Sequence, residues 1–441
     1  MATLIKHYRN SFLDIKNEKL RILLDPWVNT ANEGSWAASE KGSSFILDSL
    51  KKKEIDYIYI SHLHTDHFDV KFLKLLKKKQ KKKFKLIIKK FKDNRLKNQL
   101  IKNGFKQNQI LDINDLEILK LNKDSNFIIL PQISSSNTPN EYIKYDLDTS
   151  CIFFDKNVSL YNQVDNPYSL SDIRLIMKKL KKIINIKFDL GFIPYCAASE
   201  FPQSFINLNR IKEKKIVISS RIKKFIDIAE TINCKNIVPA GGSYLLDNIF
   251  SGLNKYLAVP SFENIFRLFN KYKSKNFDLI NTNKHYFFAE NKKISLIKNN
   301  FSTNFRSDVS FKEENIRYNK IKQKFLIKNI QSSLKKLEKS MPEFKKKLYD
   351  KTITNVQLCI WDKQPILIKN LKNKKNFLKH EIKFSEKKKK INLKVHIYYK
   401  LLLGIIRNVV SWNEVQNHCL FERKPNKYDP DTIFWLNLYK Y

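Results

Sequence analysis

Short runs of consecutive apolar residues alternate with stretches of helical periodicity through the first 130 positions. Leu20-Arg21-Ile22-Leu23-Leu24 reads as a strand ending at Asp25-Pro26-Trp27, and Ile55-Asp56-Tyr57-Ile58-Tyr59-Ile60 as a β-branched and aromatic strand. Over residues 69–80 the apolar positions are Val70, Phe72, Leu73, Leu75 and Leu76, a helical spacing with Asp69 as its N-cap. A strand over 84–88, a helix over 94–102 closed by Asn103-Gly104, and a strand over 127–130 follow.

The next block opens with a hairpin, 150–154 and 158–161, turning through Asp155-Lys156-Asn157. It continues with helix 169–183, strand 189–195, helix 218–231 and strand 236–238 running into Pro239-Ala240-Gly241-Gly242. Two blocks of strands, each carrying helices, predict a sheet-on-sheet core with helices outside, an αββα sandwich. Beyond residue 300 the periodicity weakens. Residues 313–349 are highly charged and read as helical, and 365–368 and 391–399 read as strands before a helix near 401–410. The expected organisation is a domain over 1–300, a charged helical connector over 301–345, and a small α+β domain over 346–441 that loosely resembles a sterol-carrier module.

Composition narrows the possibilities. Hydrophobic residues at 42% suffice for a sizeable core, which excludes a wholly disordered chain. No run of eighteen apolar residues exists, so no membrane span is expected, and the charged first 20 residues do not read as a secretory signal. Five scattered cysteines without a CxxC pair argue against a disulfide framework or a cysteine-held metal and fit a reducing cytoplasm. The formal charge is +41. The lysine runs lack interleaved aromatics and accompany a chain-wide Lys, Asn and Ile bias, so most read as solvated faces, although a positive field favours an anionic small-molecule substrate.

The chemistry concentrates in Ser61-His62-Leu63-His64-Thr65-Asp66-His67, directly after the second strand. With only 8 histidines in 441 residues, three of them packed into one turn is a strong signal. Residues two apart at a strand end point to one side, so His62 and His64 can hold one ion, while Asp66 and His67 swing round the turn toward a neighbouring position. Imidazole and carboxylate suit Zn²⁺ or another borderline divalent ion.

His-x-His-x-Asp-His after an apolar strand resembles the metallo-β-lactamase superfamily. His7, Ser11-Phe12-Leu13-Asp14-Ile15 and Leu23-Leu24-Asp25-Pro26 are similar to the opening strands of its L-ascorbate-6-phosphate lactonase subgroup, in which Asp25 would be structural. The hairpin from Thr149 to Asp155, leading to Leu160-Tyr161-Asn162-Gln163-Val164-Asp165, looks like the one that delivers the metal-bridging aspartate, here Asp165. Cys196-Ala197-Ala198-Ser199-Glu200-Phe201-Pro202 and Val238 to Gly242 resemble the metallo-β-lactamase-like part of CMP-N-acetylneuraminate hydroxylase. The resemblance spans roughly residues 1–265.

Its departures matter. Where the superfamily supplies two later histidines, this chain has Pro131-Gln132-Ile133 and Ala240-Gly241-Gly242. The ligands that remain are His62, His64, Asp66, His67 and Asp165, which favours one ion, zinc with iron as the alternative, over two. Cys196 reads as a small buried residue, Glu200 as a further acid only if its loop turns inward, and Gly241-Gly242 as a turn or a close approach to ligand.

The resemblance implies a metallohydrolase that uses a metal-bound hydroxide on an anionic sugar phosphate or sugar nucleotide, with Asp66 ligating or taking the water's proton. The alternative is the non-redox component of a CMP-sialic-acid-hydroxylase-like oxygenase. No Rieske-type Cys/His pairs occur in the chain, so that reading needs a separate electron-transfer protein. A nucleic-acid or polyanion binder on a degraded metal site is the third reading, weakened because no inserted domain with further His and Asp motifs is found.

Overall fold

A computed structural model describes residues 2–38, 46, 50, 54–80, 83–91, 94–132, 148–196, 199–241, 244–272, 276–281, 285–298, 356–371, 377–384, 391, 393–406, 409–410 and 412–423. The connector expected over 301–345 and the segment after Arg423 lie outside these residues.

The strands are β1 (Thr3–Arg9), β2 (Phe12–Lys16), β3 (Arg21–Leu24), β4 (Trp36–Ala38), β5 (Tyr57–Tyr59), β6 (Lys85–Lys89), β7 (Ile110–Ile113), β8 (Ile118–Lys120), β9 (Asn126–Leu130), β10 (Ser150–Phe154), β11 (Ser159–Asn162), β12 (Leu190–Pro194), β13 (Asn236–Ala240), β14 (Tyr244–Leu246), β15 (Asp278–Leu279), β16 (His285–Glu290) and β17 (Lys293–Lys298). One sheet runs β17-β16-β1-β2-β3-β5-β6-β7 and the other β15-β13-β12-β11-β10-β9-β8, while β4 and β14 form a separate ribbon. The helices are α1 (Val70–Lys79), α2 (Arg95–Lys102), α3 (Leu170–Lys181), α4 (Arg210–Ile232) and α5 (Phe262–Phe269).

Alternating side chains explain the layers. Ile5, Ile22, Leu24 and Tyr59 of the first sheet meet Phe127, Phe153, Leu160 and Phe192 of the second in one buried core. The opposite side of the first sheet, including Leu23, Ile58 and Leu86, packs on Phe72, Leu73 and Leu76 of α1 and Leu96 and Leu100 of α2. On the second sheet, Ile128, Ile152 and Ile193 face Ile173 and Ile176 of α3 and Phe225 and Ala229 of α4. Strands buried on both faces read as uninterrupted apolar runs, as 127–130 does. The architecture is therefore the expected αββα sandwich, with parallel strands β3-β5-β6-β7 and β11-β12-β13-β15 joined by crossover connections.

A second sheet system follows: β18 (Val356–Trp361), β19 (Leu378–Phe384), β20 (Leu393–Tyr398) and β21 (Leu420–Arg423), with α6 (Tyr399–Ile406) and α7 (Trp412–Val415). Its order is β19-β18-β20-β21. Its Ile360, Val395, Leu401 and Phe421 share one core with Trp27, Trp36, Phe201, Phe205 and Tyr244 of the sandwich. Backbone bonds at 2.9 Å from Ile206 N to Phe421 O and from Phe421 N to Ser204 O stitch the two together.

Two local expectations change, and one hairpin is added. The helix expected over 218–231 starts at Arg210, where the Asn209 side chain accepts from Lys212 N. Its first turns are polar and carry no periodic signal. Residues 365–368 form a 3-10 turn, not a strand, because Pro365 sits at its first position and Leu367 N and Ile368 N bond back to Gln364 O and Pro365 O. The hairpin β16–β17 was not anticipated. Asn291 and Lys292 make its turn in left-handed conformations at φ 48° and 64°. Among the described residues, no helix is long and apolar enough to cross a membrane.

Candidate metal centre

The turn after β5 carries the motif into the seam between the sheets. His67 N and Phe68 N both donate to His64 O, at 3.0 and 2.8 Å, which coils the segment so that the imidazoles converge. The ring centroids of His62 lie 4.5 Å from His64 and 4.3 Å from His67. From the second sheet, Thr149 at the head of β10 donates its hydroxyl to Ser61 O at 2.8 Å and brings Asp148 against the motif. Asp165 arrives from the turn after β11, preceded by Val164 at φ 56°. A β-branched residue rarely adopts that conformation, and such strain persists only where neighbours enforce it.

Two overlapping groups of donors result. His62, His67 and Asp165 form one, and His62, His64 and Asp148 the other. Within each group one ligand atom per residue lies within 4.8 Å of the others. Individual separations are 3.2 Å from His67 Nε2 to Asp165 Oδ2, 2.8 Å from His62 Nε2 to His64 Nδ1, and 3.5 Å from His62 Nε2 to Asp148 Oδ1. Asp66 joins neither group. Its Oδ2 is 3.4 Å from His67 Nε2 and accepts from Asn10 Nδ2 at 3.3 Å. The turn at Asn10 is itself held by His7, whose Nε2 donates to Asn10 O at 2.9 Å.

Asp25 orients the rings from behind. It accepts from Ser61 N at 2.8 Å, from Ser61 Oγ at 2.6 Å and from His67 Nδ1 at 2.9 Å. Because the Ser61 hydroxyl proton is spent on Asp25, Ser61 Oγ accepts from His62 Nδ1 at 2.9 Å. One carboxylate thereby orients both rings and leaves both Nε2 atoms facing the donor groups, the usual device behind metal-binding histidines.

Electrostatics follow the same geometry. Burial, with His67 and His64 nearby, holds His62 well below the usual histidine range, so its ring is neutral. Burial alone would also lower His67, but Asp66, Asp165 and Asp25 outweigh it and raise it well above that range. Asp66 is lowered: burial opposes its charge, and His67 and His64 prevail. Asp148 is pushed up to about 6, first by burial and then by Asp165 and Asp66, against the pull of His64 and His67.

Of the residues singled out in the sequence, His62, His64, His67 and Asp165 fall into the two groups, and Asp66 stands beside them. Asp148 was missed. It lies in a polar stretch with no periodicity, and its one signal is its place just ahead of a buried strand. Gly241 abuts the site: at φ 82°, an added Cβ would meet Asp165 Oδ1 at 3.4 Å and Pro194 Cβ at 3.3 Å. Cys196 is buried and its thiol pushed up to about 12, mainly by burial, so it stays protonated. Glu200 is buried within electrostatic reach of Tyr244 and Cys419, at the seam with the C-terminal sheet, and falls in neither donor group.

No family model matches the chain. A protein of Mycolicibacterium smegmatis described as a "Putative Rieske 2Fe-2S iron-sulfur protein" is 47% identical over 53 residues, 12% of this chain and 10% of that protein. A protein of Mycobacterium tuberculosis with the same description is 45% identical over 60 residues, 14% of this chain and 11% of that one. The matches thus span about a tenth of the length of these relatives. Among solved structures, CmlA, a diiron β-hydroxylase from Streptomyces venezuelae, aligns with a TM-score of 0.42 at 15% identity, over 65% of this chain and 54% of that one. Igni18, a metallo hydrolase from Ignicoccus hospitalis, aligns with a TM-score of 0.41 at 14% identity, over 68% of this chain and all of its own. Similarity this distant says nothing about activity. The fold assignment rests on the two sheets, their order and their helical layers.

Proposed function

We propose that the chain is a metal-dependent hydrolase acting on an anionic small molecule, such as a sugar phosphate or sugar nucleotide. The observation that carries the reading is the pair of donor groups sharing His62. Imidazole nitrogens and carboxylate oxygens suit zinc or iron. Three carboxylates around one neutral ring and one acid-paired ring leave a local demand for positive charge. His62, His64, His67, Asp148 and Asp165 would hold the ion or ions. A divalent ion bound there supplies Lewis acidity and lowers the pKa of a water toward neutrality.

The chain's own residues do the rest. Asp25 and Ser61 keep the rings aimed. Asp66, fastened by Asn10 and His67 and ionised at neutral pH, takes the proton from the attacking water. The formal charge of +41 draws an anionic substrate to the molecule.

Elemental analysis of the purified protein is the direct test. Zinc or iron should be present in the wild type, lost in His62→Ala and retained in part in His64→Ala, because His62 alone belongs to both groups. Asp66→Asn should keep the metal and lower kcat on a hydrolysable phosphate or lactone substrate by roughly 10²–10⁴-fold. A wild-type protein that neither contains nor takes up a divalent metal sinks the reading.

The short matches to proteins described as Rieske iron–sulfur proteins favour one second reading, a non-redox oxygenase component served by a separate electron-transfer protein. It requires iron and no hydrolysis by the isolated chain.

A further inference from the structure

The turn that precedes the metal motif in space is strained. Asn32 and Glu33, both non-glycine, adopt left-handed conformations at φ 50° and 53°, followed by Gly34 at φ 83°. Such conformations persist only where the surroundings fix them. Within the turn, Ser35 N and Ser35 Oγ donate to Asn32 O at 3.1 and 2.9 Å, and residues of two other segments reach it from opposite sides. Toward the motif, Asn32 N donates to Thr65 Oγ1 at 2.8 Å, and Thr65 Oγ1 donates to Asn32 Oδ1 at 3.0 Å. Thr65 stands between His64 and Asp66. Toward the C-terminal sheet, His418 Nε2 lies 2.9 Å from Asn32 O.

The tautomer of His418 is fixed by its partners. A carbonyl only accepts, so Nε2 carries the proton, and Nδ1 accepts from Gln364 Nε2 at 3.3 Å. The ring is buried and meets Phe250 edge-on, with centroids 4.7 Å apart. Burial pushes its pKa down to about 4, which keeps it neutral. A residue from the far end of the chain thus reaches the metal motif through two hydrogen-bonded steps.

We propose that His418 is a positioning residue for the metal motif, holding the Asn32–Gly34 turn so that Thr65 sets the path of the chain between His64 and Asp66. The C-terminal sheet is in this sense part of the site. The inference rests on the reading of the motif as a metal centre only for its effect on affinity, not for the structural coupling.

The test uses the full chain, metal-free, as wild type, His418→Ala, His418→Gln and Thr65→Val. Hydrogen exchange of peptides over 61–69 and 150–162 is measured first, and zinc affinity by competition with a chromophoric chelator second. His418→Ala should raise exchange over 61–69 about 10-fold, leave 150–162 protected, and weaken zinc binding 10–100-fold. His418→Gln, whose amide can donate to Asn32 O, should recover most of both. Thr65→Val, which cuts the chain on the motif side without touching the C-terminal sheet, should give the same pattern, and it carries the test if His418→Ala does not fold. Wild-type protection over 61–69 in either cut variant overturns the proposal. So does a uniform rise over both peptides that His418→Gln does not rescue. If the wild type binds no zinc, the metal reading fails, while the exchange data still decide the coupling.

Discussion

Asp25 is the side chain on which the geometry of the site turns. It is 1% exposed, sits at φ 42°, and accepts three hydrogen bonds that together orient His62 and His67. Asparagine at this position keeps the shape and one acceptor but sets an amide NH₂ against donors already committed. Asp25→Asn should therefore cost about 2–3 kcal/mol in urea denaturation, since buried groups lose their partner, and weaken zinc binding 10–100-fold. Wild-type values for both would show that the rings are held by packing alone. The three histidines were legible at this scale because they crowd one short turn of a histidine-poor chain. Asp148 was not, since nothing local distinguishes it from Asp146 two positions earlier.

Among the elements, helix α1 and strand β13 bring separate constraints. Asp69 caps α1 as its sequence position implies, accepting from Phe72 N at 3.0 Å. It also accepts from Val28 N at 3.1 Å and Asn29 N at 2.8 Å, which moors the segment leading to Asn32. Asp69→Ala should cost about 2–4 kcal/mol, more than a solvent-exposed cap, because it strands buried donors as well. A loss near 1 kcal/mol in a denaturant titration would mean that those donors find other partners. At the end of β13, Gly241 occupies a conformation that side chains disfavour and leaves the space beside Asp165 open. Gly241→Ala should destabilise the protein by about 1–3 kcal/mol and displace the Asp165 carboxylate. Unchanged stability together with unchanged metal content would argue that the turn adapts. The scarcity of glycine, 8 in the chain against a usual frequency of roughly 7%, already marked this position.

At the level of the whole molecule, the αββα sandwich and the C-terminal sheet share a core, and Glu200 lies in that seam. Among the described residues its Oε2 has no hydrogen-bond partner, and burial raises its pKa from 4.5 to about 7. A carboxyl raised in the folded state keeps a proton that the unfolded chain has already released. Its contribution is complete below about pH 4.5 and is lost as the pH rises through about 7. Wild-type stability should thus decline by about 3 kcal/mol between pH 4.5 and 8 on account of this group. Glu200→Gln should flatten that decline and be the more stable protein at pH 8, as read from urea midpoints at several pH values. Identical slopes in the two proteins would remove Glu200 as the cause.

Local chemistry was enough to set most of the strands and helices of the first 240 residues, the cap at Asp69, the sandwich class and the crowded histidine turn. Periodicity, capping and turn preferences all act within a few residues, so they can be read along the chain. Asp165 was expected at that turn only from the family resemblance; tertiary structure alone decided that Asp148 meets it from the second sheet, that Asp25 aims two rings at once, and that His418 reaches Asn32 from a distant part of the polypeptide. Those meetings depend on strand register and on how two sheets and a later module pack, and no residue carries that information in its immediate neighbours.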